Sequence, residues 1–177
     1  MAQDDGFVDV LTVVDVDKVL KEYGPNGSVD EPGVSIADCV YMLVRKDDAV
    51  GMEAISELTV AAKTNDTLRW RMASLTLNTG YSAVLYKMNV SGNAQCISPP
   101  QPLVSHIKVP VPEVAGGQVD GYNTQPYVDF FFQSTALHPT AALSGQRVTY
   151  QLYVQVTDNL GNKVGTYSWD PYITITT

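Results

Sequence analysis

The stretch TLRWRMASL, Thr67–Leu75, decides how the rest of the chain is read. Leu68, Trp70 and Met72 alternate with Arg69 and Arg71, and a period of two puts the two sets on opposite faces of a strand. The apolar set predicts a buried face with Trp70 in the core. The basic set predicts a wet face, which Arg69 and Arg71 share with Thr67 and Ala73. Two neighbouring arginines stand out in a chain with 11 Lys and Arg against 19 Asp and Glu. Their planar forks of donors suit a carboxylate or phosphate ligand. The plainer reading pairs them with acids on an adjacent strand, since exposed sheet faces routinely carry charge.

Outward from that strand, the same pattern recurs. FVDVLTVV (Phe7–Val14) is rich in β-branched residues and reads as a strand. In DVDKVLKEYGP, Val16, Val19, Leu20 and Tyr23 fall at i, i+3, i+4 and i+7, the stripe of a short helix. Asp15 is placed to cap its first turn, and Gly24 with Pro25 ends it. After the turn-rich GPNGSVDEPG the chain becomes strand, turn, strand: CVYMLVR, ELTVAAK, SAVLYKMNV, VSHIKVPV, YVDFFFQST and RVTYQLYVQVTD. In the last of these Val148, Tyr150, Leu152, Val154 and Val156 point one way. Pro110 and Pro112 exclude an inner strand at the end of VSHIKVPV. AGGQVDG (Ala115–Gly121) follows a proline-bearing strand, opens no helix and reads as a mobile loop. DNLGN reads as a hairpin turn, and VGTYSWDPYITIT as one or two closing strands. Eight or nine strands with one small helix predict a mainly β fold, an antiparallel β-sandwich with jelly-roll and immunoglobulin-like connections both open. At 177 residues a single domain over 1–177 is expected, large enough to bury roughly 70% of its extended surface.

Charge narrows the partners. The net charge is −8, and it is uneven. Residues 1–60 hold 13 acids and four bases, whereas residues 61–177 hold six acids and seven bases. Nucleic acid and anionic membranes need a basic footprint, so neither is an expected partner. A lopsided charge does allow oriented contact between copies, so self-association is the expected partnership. No apolar run approaches the length of a membrane span, and MAQDDGFVD lacks the features of a secretory signal. A cytoplasmic location follows as an expectation. Cys39 and Cys96 are too few for a disulfide framework and read as reduced thiols, with Cys39 packed in a strand.

No catalytic pattern emerges. No serine has the flanks of a nucleophile elbow, and neither Walker A nor G-x-G-x-x-G occurs. His106 and His138 lie in different segments without metal-ligand spacing. The acidic pairs Asp4-Asp5, Asp30-Glu31 and Asp47-Asp48 sit in turn-like contexts and argue neither for nor against acid–base chemistry, whose carboxylates are placed by the fold. No catalytic residue, metal or cofactor is therefore expected. Aromatic residues at loops and strand ends (Tyr81, Tyr122, Tyr127, Tyr167, Trp169 and Tyr172) offer stacking for a carbohydrate, though aromatics are also ordinary strand residues. Arg69, Arg71, Tyr81 and Trp169 are the candidate ligand-binding residues.

The run RWRMASLTLNTGYSAVLYK, with YSWDPYITI near the C-terminus, resembles the AidA/PixA family of bacterial proteins. The N-terminal order of apolar strand, short helix ending in KEYGPN, Pro-containing loop and YMLV is also similar. The resemblance implies a small β-sandwich protein and, as for some members, accumulation in the cell as inclusions; the missing active-site patterns make it a non-enzymatic one. It also implies quorum-sensing control and a role in contact with animal hosts, as for some members. It carries over no catalytic or binding residue. The alternative is a binding module for a carbohydrate or a small anion.

Overall fold

The computed structural model describes residues 6–28, 30–138 and 143–176; the Asp4-Asp5 pair lies outside them. The described residues form eleven strands, one α-helix and three short 3-10 turns. In chain order they are β1 (Phe7–Val14), α1 (Val16–Tyr23), β2 (Val40–Leu43), β3 (Ala49–Val50), β4 (Thr59–Lys63), β5 (Thr67–Ser74) and β6 (Tyr81–Gly92). There follow β7 (Gln101–Ala115), β8 (Gln118–Thr135), β9 (Arg147–Asp158), β10 (Lys163–Trp169) and β11 (Tyr172–Thr176).

One sheet runs β2-β1-β5-β8-β7, and the other joins β10, β9, β11, β4 and β3, with β6 along the far edge of β9. Both sheets are mixed, which corrects the purely antiparallel expectation. β1 and β5 pair in parallel from Phe7↔Thr67 to Val14↔Ser74, and β4 and β11 pair in parallel from Thr59↔Tyr172 to Lys63↔Thr176. Alternation along a strand reports which face is buried, but nothing about the direction of its neighbour. β10 and β11 act as one partner of β9: Trp169↔Leu152 and Tyr172↔Thr149 keep the same register across the break. The break falls at Asp170-Pro171, where proline has no N–H to donate.

The core sits between the sheets. Trp70 is fully buried, as its alternation predicts, and so are Val148, Tyr150, Leu152, Val154 and Val156 of β9. Trp70 Nε1 donates to the Tyr150 hydroxyl at 3.2 Å, and their rings meet edge to face, 5.6 Å between centroids. The pair joins β5 of one sheet to β9 of the other. α1 closes one side, burying Val16 and Val19, with the Asp15 carboxylate accepting from Lys18 N at 3.1 Å. Cys39 and Cys96 are free and buried. Cys39 ends a short 3-10 turn, Ala37–Cys39, instead of lying within a strand.

One sheet edge is covered by a loop. The loop after α1 lies along β10 and bonds to it: Thr166 N donates to Asn26 O, and Gly33 N to Thr166 O, both at 2.8 Å. Gly27 is in the left-handed region, and a Cβ there would meet Gly33 N at 2.1 Å, so only glycine lets the loop lie this close. At the other end of β10, the Asp158 carboxylate accepts from Leu160 N and Asn162 N, making DNLGN a hairpin turn. These bonds hold the Asp158 carboxyl below the usual carboxylate range, the Asn162 side chain contributing most.

AGGQVDG is no loop. Gly116 and Gly117, with φ of 59° and 79°, form the two-residue turn of a long hairpin in which β7 and β8 pair from Gln101↔Gln133 to Ala115↔Gln118. Two positive φ values in succession suit this turn, and Gly-Gly meets the demand. β8 pairs with β5 only from Thr135 to Phe132, so most of the hairpin is a two-stranded arm.

Trp70→Ala is expected to cost about 3–5 kcal/mol in denaturant unfolding, the range for emptying a large aromatic site. Tyr150→Phe should cost about 1–3 kcal/mol, because Trp70 Nε1–H loses its acceptor in a dry interior.

Burial pushes the Tyr150 hydroxyl far above its ordinary range, with the Trp70 hydrogen bond opposing only in part. A folded value above the unfolded one, about 10, stabilises the fold fully below that pH and progressively less above it. Unfolding free energy should therefore fall steeply above about pH 10, and less steeply in Tyr150→Phe. Equal slopes in the two proteins would contradict the burial of this hydroxyl.

Candidate functional site

Parallel pairing of β1 with β5 sets Asp9 opposite Arg69 and Leu11 opposite Arg71 on the outer face of the first sheet. Asp9 thereby lies within reach of both arginines. Its Oδ2 accepts from Arg69 Nη2 at 2.7 Å, and its Oδ1 from Arg71 Nη1 at 2.6 Å. From the other side, Asp129 of β8 takes the rest of the Arg71 fork, with Nε and Nη2 donating at 2.9–3.1 Å. Phe7 lies under the Arg69 guanidinium at 4.1 Å, and Phe131 under that of Arg71 at 4.7 Å. Two cations thus balance two anions, with aromatic rings beneath them.

Burial is the largest single influence on the Arg71 pKa and acts to lower it. The hydrogen bonds to Asp129 and Asp9, with their charges, outweigh it, and the net displacement is upward. The cluster behaves as a structural tie: Arg71 joins β1, β5 and the root of the hairpin arm. A free anion would have to displace Asp9 or Asp129 to reach the Arg71 fork, whereas Arg69 commits Nη2 to Asp9. Arg69 Nε is buried without a hydrogen-bond partner.

The other candidates lie elsewhere. Tyr81 begins β6 opposite Asp158 and is half-buried. Trp169 is buried, its Nε1 donating to Met42 Sδ at 3.5 Å, so its ring offers no face to a sugar. Tyr167 is buried as well, and its hydroxyl donates to Gly24 O. Of the aromatics considered for stacking, Tyr122 and Tyr127 are the most exposed, and both belong to the arm. No described contact brings Arg69, Arg71, Tyr81 and Trp169 together.

Two features had no sequence signal. A groove of about 700 Å³ lies beside β6, lined by Met88, Asn89, Gln95, Ser98, Pro99 and Gln151 among others, with no charged side chain in its lining. Asn89 Nδ2 donates to the Tyr153 hydroxyl, which donates to Gln151 Oε1, so its polar wall is an amide–hydroxyl chain. The second feature is the arm itself, which carries nine of the 21 exposed large hydrophobic residues among those described. Alternating β7 and β8 patterns would announce strands, but not that nothing covers them. Among the described residues no three of His, Cys, Asp and Glu group as metal ligands. No described helix is long and apolar enough to cross a membrane.

Arg71→Ala should destabilise the fold by about 1–3 kcal/mol, because it leaves Asp129, only 12% exposed, without its charged partner. Arg69→Ala should cost about 1 kcal/mol or less, since Asp9 keeps Arg71. Urea unfolding of the two variants tests the order, and equal losses would refute the assignment of Arg71 as the tie.

A family profile for PixA, described as inclusion body protein, matches residues 6–175. Among solved structures, the chain is similar to the crystal structure of an inclusion body protein (PixA) from Burkholderia cenocepacia J2315. The TM-score is 0.75 at 15% identity, covering 96% of this chain and 95% of that one. At that identity the likeness shows the fold alone. The solution structure of Amebosin matches at a TM-score of 0.30 and 9% identity, over 74% of this chain and 93% of the other, and carries no argument. No curated protein matches the chain. With nearly its whole length inside one profile, and a solved member folded alike, the chain belongs to the PixA inclusion body protein family.

Proposed function

We propose that this protein is a non-enzymatic structural protein that associates with copies of itself and accumulates in the cytoplasm as ordered inclusions. The observation that carries the reading is the family match over residues 6–175, since an inclusion body requires copies of its protein to adhere. The two-arginine face supports it by what already occupies it: the Arg71 fork is engaged with Asp9 and Asp129, and Arg69 Nη2 with Asp9. Quorum-sensing control and contact with an animal host belong to the same reading and rest on the family resemblance.

The neutral groove beside β6 favours a second reading, a module for an uncharged polyhydroxylated ligand such as a carbohydrate. Amide and hydroxyl groups with apolar patches between them suit a sugar and do not suit an anion. A glycan array with a thermal-shift screen tests this reading, and a saccharide that raises the melting temperature would favour it.

Association has a definite pH dependence under the leading reading. At pH 7 the net charge of −8 repels copies, and the sequence pI is about 4.5. Lowering the pH toward 5 protonates part of the carboxylates and removes that repulsion. Light scattering at pH 5–8 should show association strengthening between about pH 6 and pH 5. If net repulsion is the brake, raising the salt at pH 7 promotes association, because exposed charges are screened beyond about 8 Å at physiological ionic strength. A protein that stays monomeric at high concentration across this grid would refute the self-associating role.

A further inference from the structure

The arm formed by β7 and β8 is the least accounted-for part of the molecule. Phe132 belongs to the core, and residues two apart share its face. Val104, Val128, Phe130 and Tyr122 therefore continue the core-side face of the sheet outward, and all four are exposed. The rings of Phe130 and Phe132 meet edge to face, 6.0 Å between centroids, which confirms the shared side. The opposite face is also apolar, with exposed Leu103, Ile107 and Tyr127. Between Leu103 and Val128 the only formally charged side chains are Lys108, Glu113 and Asp120. Depletion of charge with enrichment of Tyr, Phe and branched apolar residues marks the centre of an interface, not a wet surface.

The prolines decide how such a surface is used. Pro102, Pro110 and Pro112 have the same parity along β7, and Pro126 of β8 pairs with Lys108, a residue of that parity. Opposed residues of one parity are all hydrogen-bonded pairs or all non-bonded ones, and a proline fits only where its missing N–H points away from the partner. The four prolines thus remove outward amides from both edges of the arm. Extension of the sheet by another strand is interrupted at both edges, which favours contact through the two faces.

Area selects the extent of contact. From Val104 to Ala115 the arm is about 40 Å long and about 10 Å wide, so each face covers about 400 Å². Two arms meeting on one face each would bury about 800 Å² in total, the scale of adventitious contacts. Both faces on each, with the partner surface they cover, would bury at least about 1,600 Å², the scale of stable complexes.

We propose that the β7–β8 arm is the self-association surface of this protein, reaching onto a second copy with both faces buried and its proline-bearing edges left unpaired. The proposal rests on the self-associating reading above and names the surface that would serve it. Reciprocal exchange of arms gives a closed pair related by a two-fold axis. The nearly neutral arm also meets little of the repulsion that the acidic remainder imposes.

The test uses the full chain and three variants in sedimentation velocity over a concentration series. In one variant Asn-Gly replaces residues 106–128, joining Ser105 to Asp129 so that the Arg71 tie is kept. Ile107→Glu and Val128→Glu place a charge on each face of the arm at exposed positions and leave the core intact. The expected result is an associating parent, a folded monomer for the shortened chain, and at least tenfold weaker association for each point variant. Undiminished association of a folded shortened chain would overturn the arm as the interface while leaving self-association standing. If the shortened chain does not fold, the point variants decide: association equal to the parent in both overturns the proposal. A parent that stays monomeric throughout overturns the proposal and the self-associating reading together.

Discussion

The indole of Trp70 and the phenol of Tyr150 meet where the two sheets face one another, and the hydrogen bond between them satisfies the one polar group each carries into the core. Aromatic pairs of this geometry contribute about 0.5–1.5 kcal/mol beyond their buried area. Their larger effect is positional. Trp70 fixes which face of β5 is inner, so Arg69 and Arg71 must be outer, within reach of Asp9 on one side and Asp129 on the other. A shift of register by one residue would bury two guanidiniums and expose the indole. Core packing and the surface ion cluster are thus one constraint seen from two sides.

The cluster in turn sets the direction of the arm. β8 leaves β5 after Phe132, and the last side-chain bond between the arm's root and the sheet is the one from Arg71 to Asp129. A hairpin this long, joined to the body only at its base, needs such a tie to keep one orientation. The Arg71 fork, half of what resembles an anion site in the sequence, is consumed by this task.

Much of the fold was legible. The inward set of β9, the apolar stripe of α1 with its Asp15 cap and the burial of Trp70 all follow from period and local chemistry. Arg69 and Arg71 were legible as an outer pair, but their partners were not, because Asp9 and Asp129 are some 60 residues distant in opposite directions. The parallel pairings were illegible for a related reason: Val8 and Leu68 would show the same alternation beside a neighbour of either direction. Trp169 near a proline looked like a strand end open to solvent, whereas the break at Asp170-Pro171 interrupts a strand that continues in register. Gly116-Gly117 was read as slack because Pro110 and Pro112 seemed to end β7. Prolines two apart are compatible with an edge strand, and the hairpin needed that reading.

The parallel strands carry a kinetic consequence. β11 lies between β9 and β4, so the second sheet is continuous only once Thr59 of β4 has found Tyr172, more than a hundred residues later. Closing so long a loop costs entropy before any contact rewards it, and folds dominated by such pairings reach the native state slowly. Until that step, β4 has only the two-residue β3 beside it in its sheet. The hairpin arm, by contrast, joins neighbours in sequence across a tight turn and can form early, within about 1–10 μs. A newly made chain would then display its most apolar ribbon before its second sheet closes. On the proposal that copies meet through the arm, this order of folding events would favour assembly during synthesis.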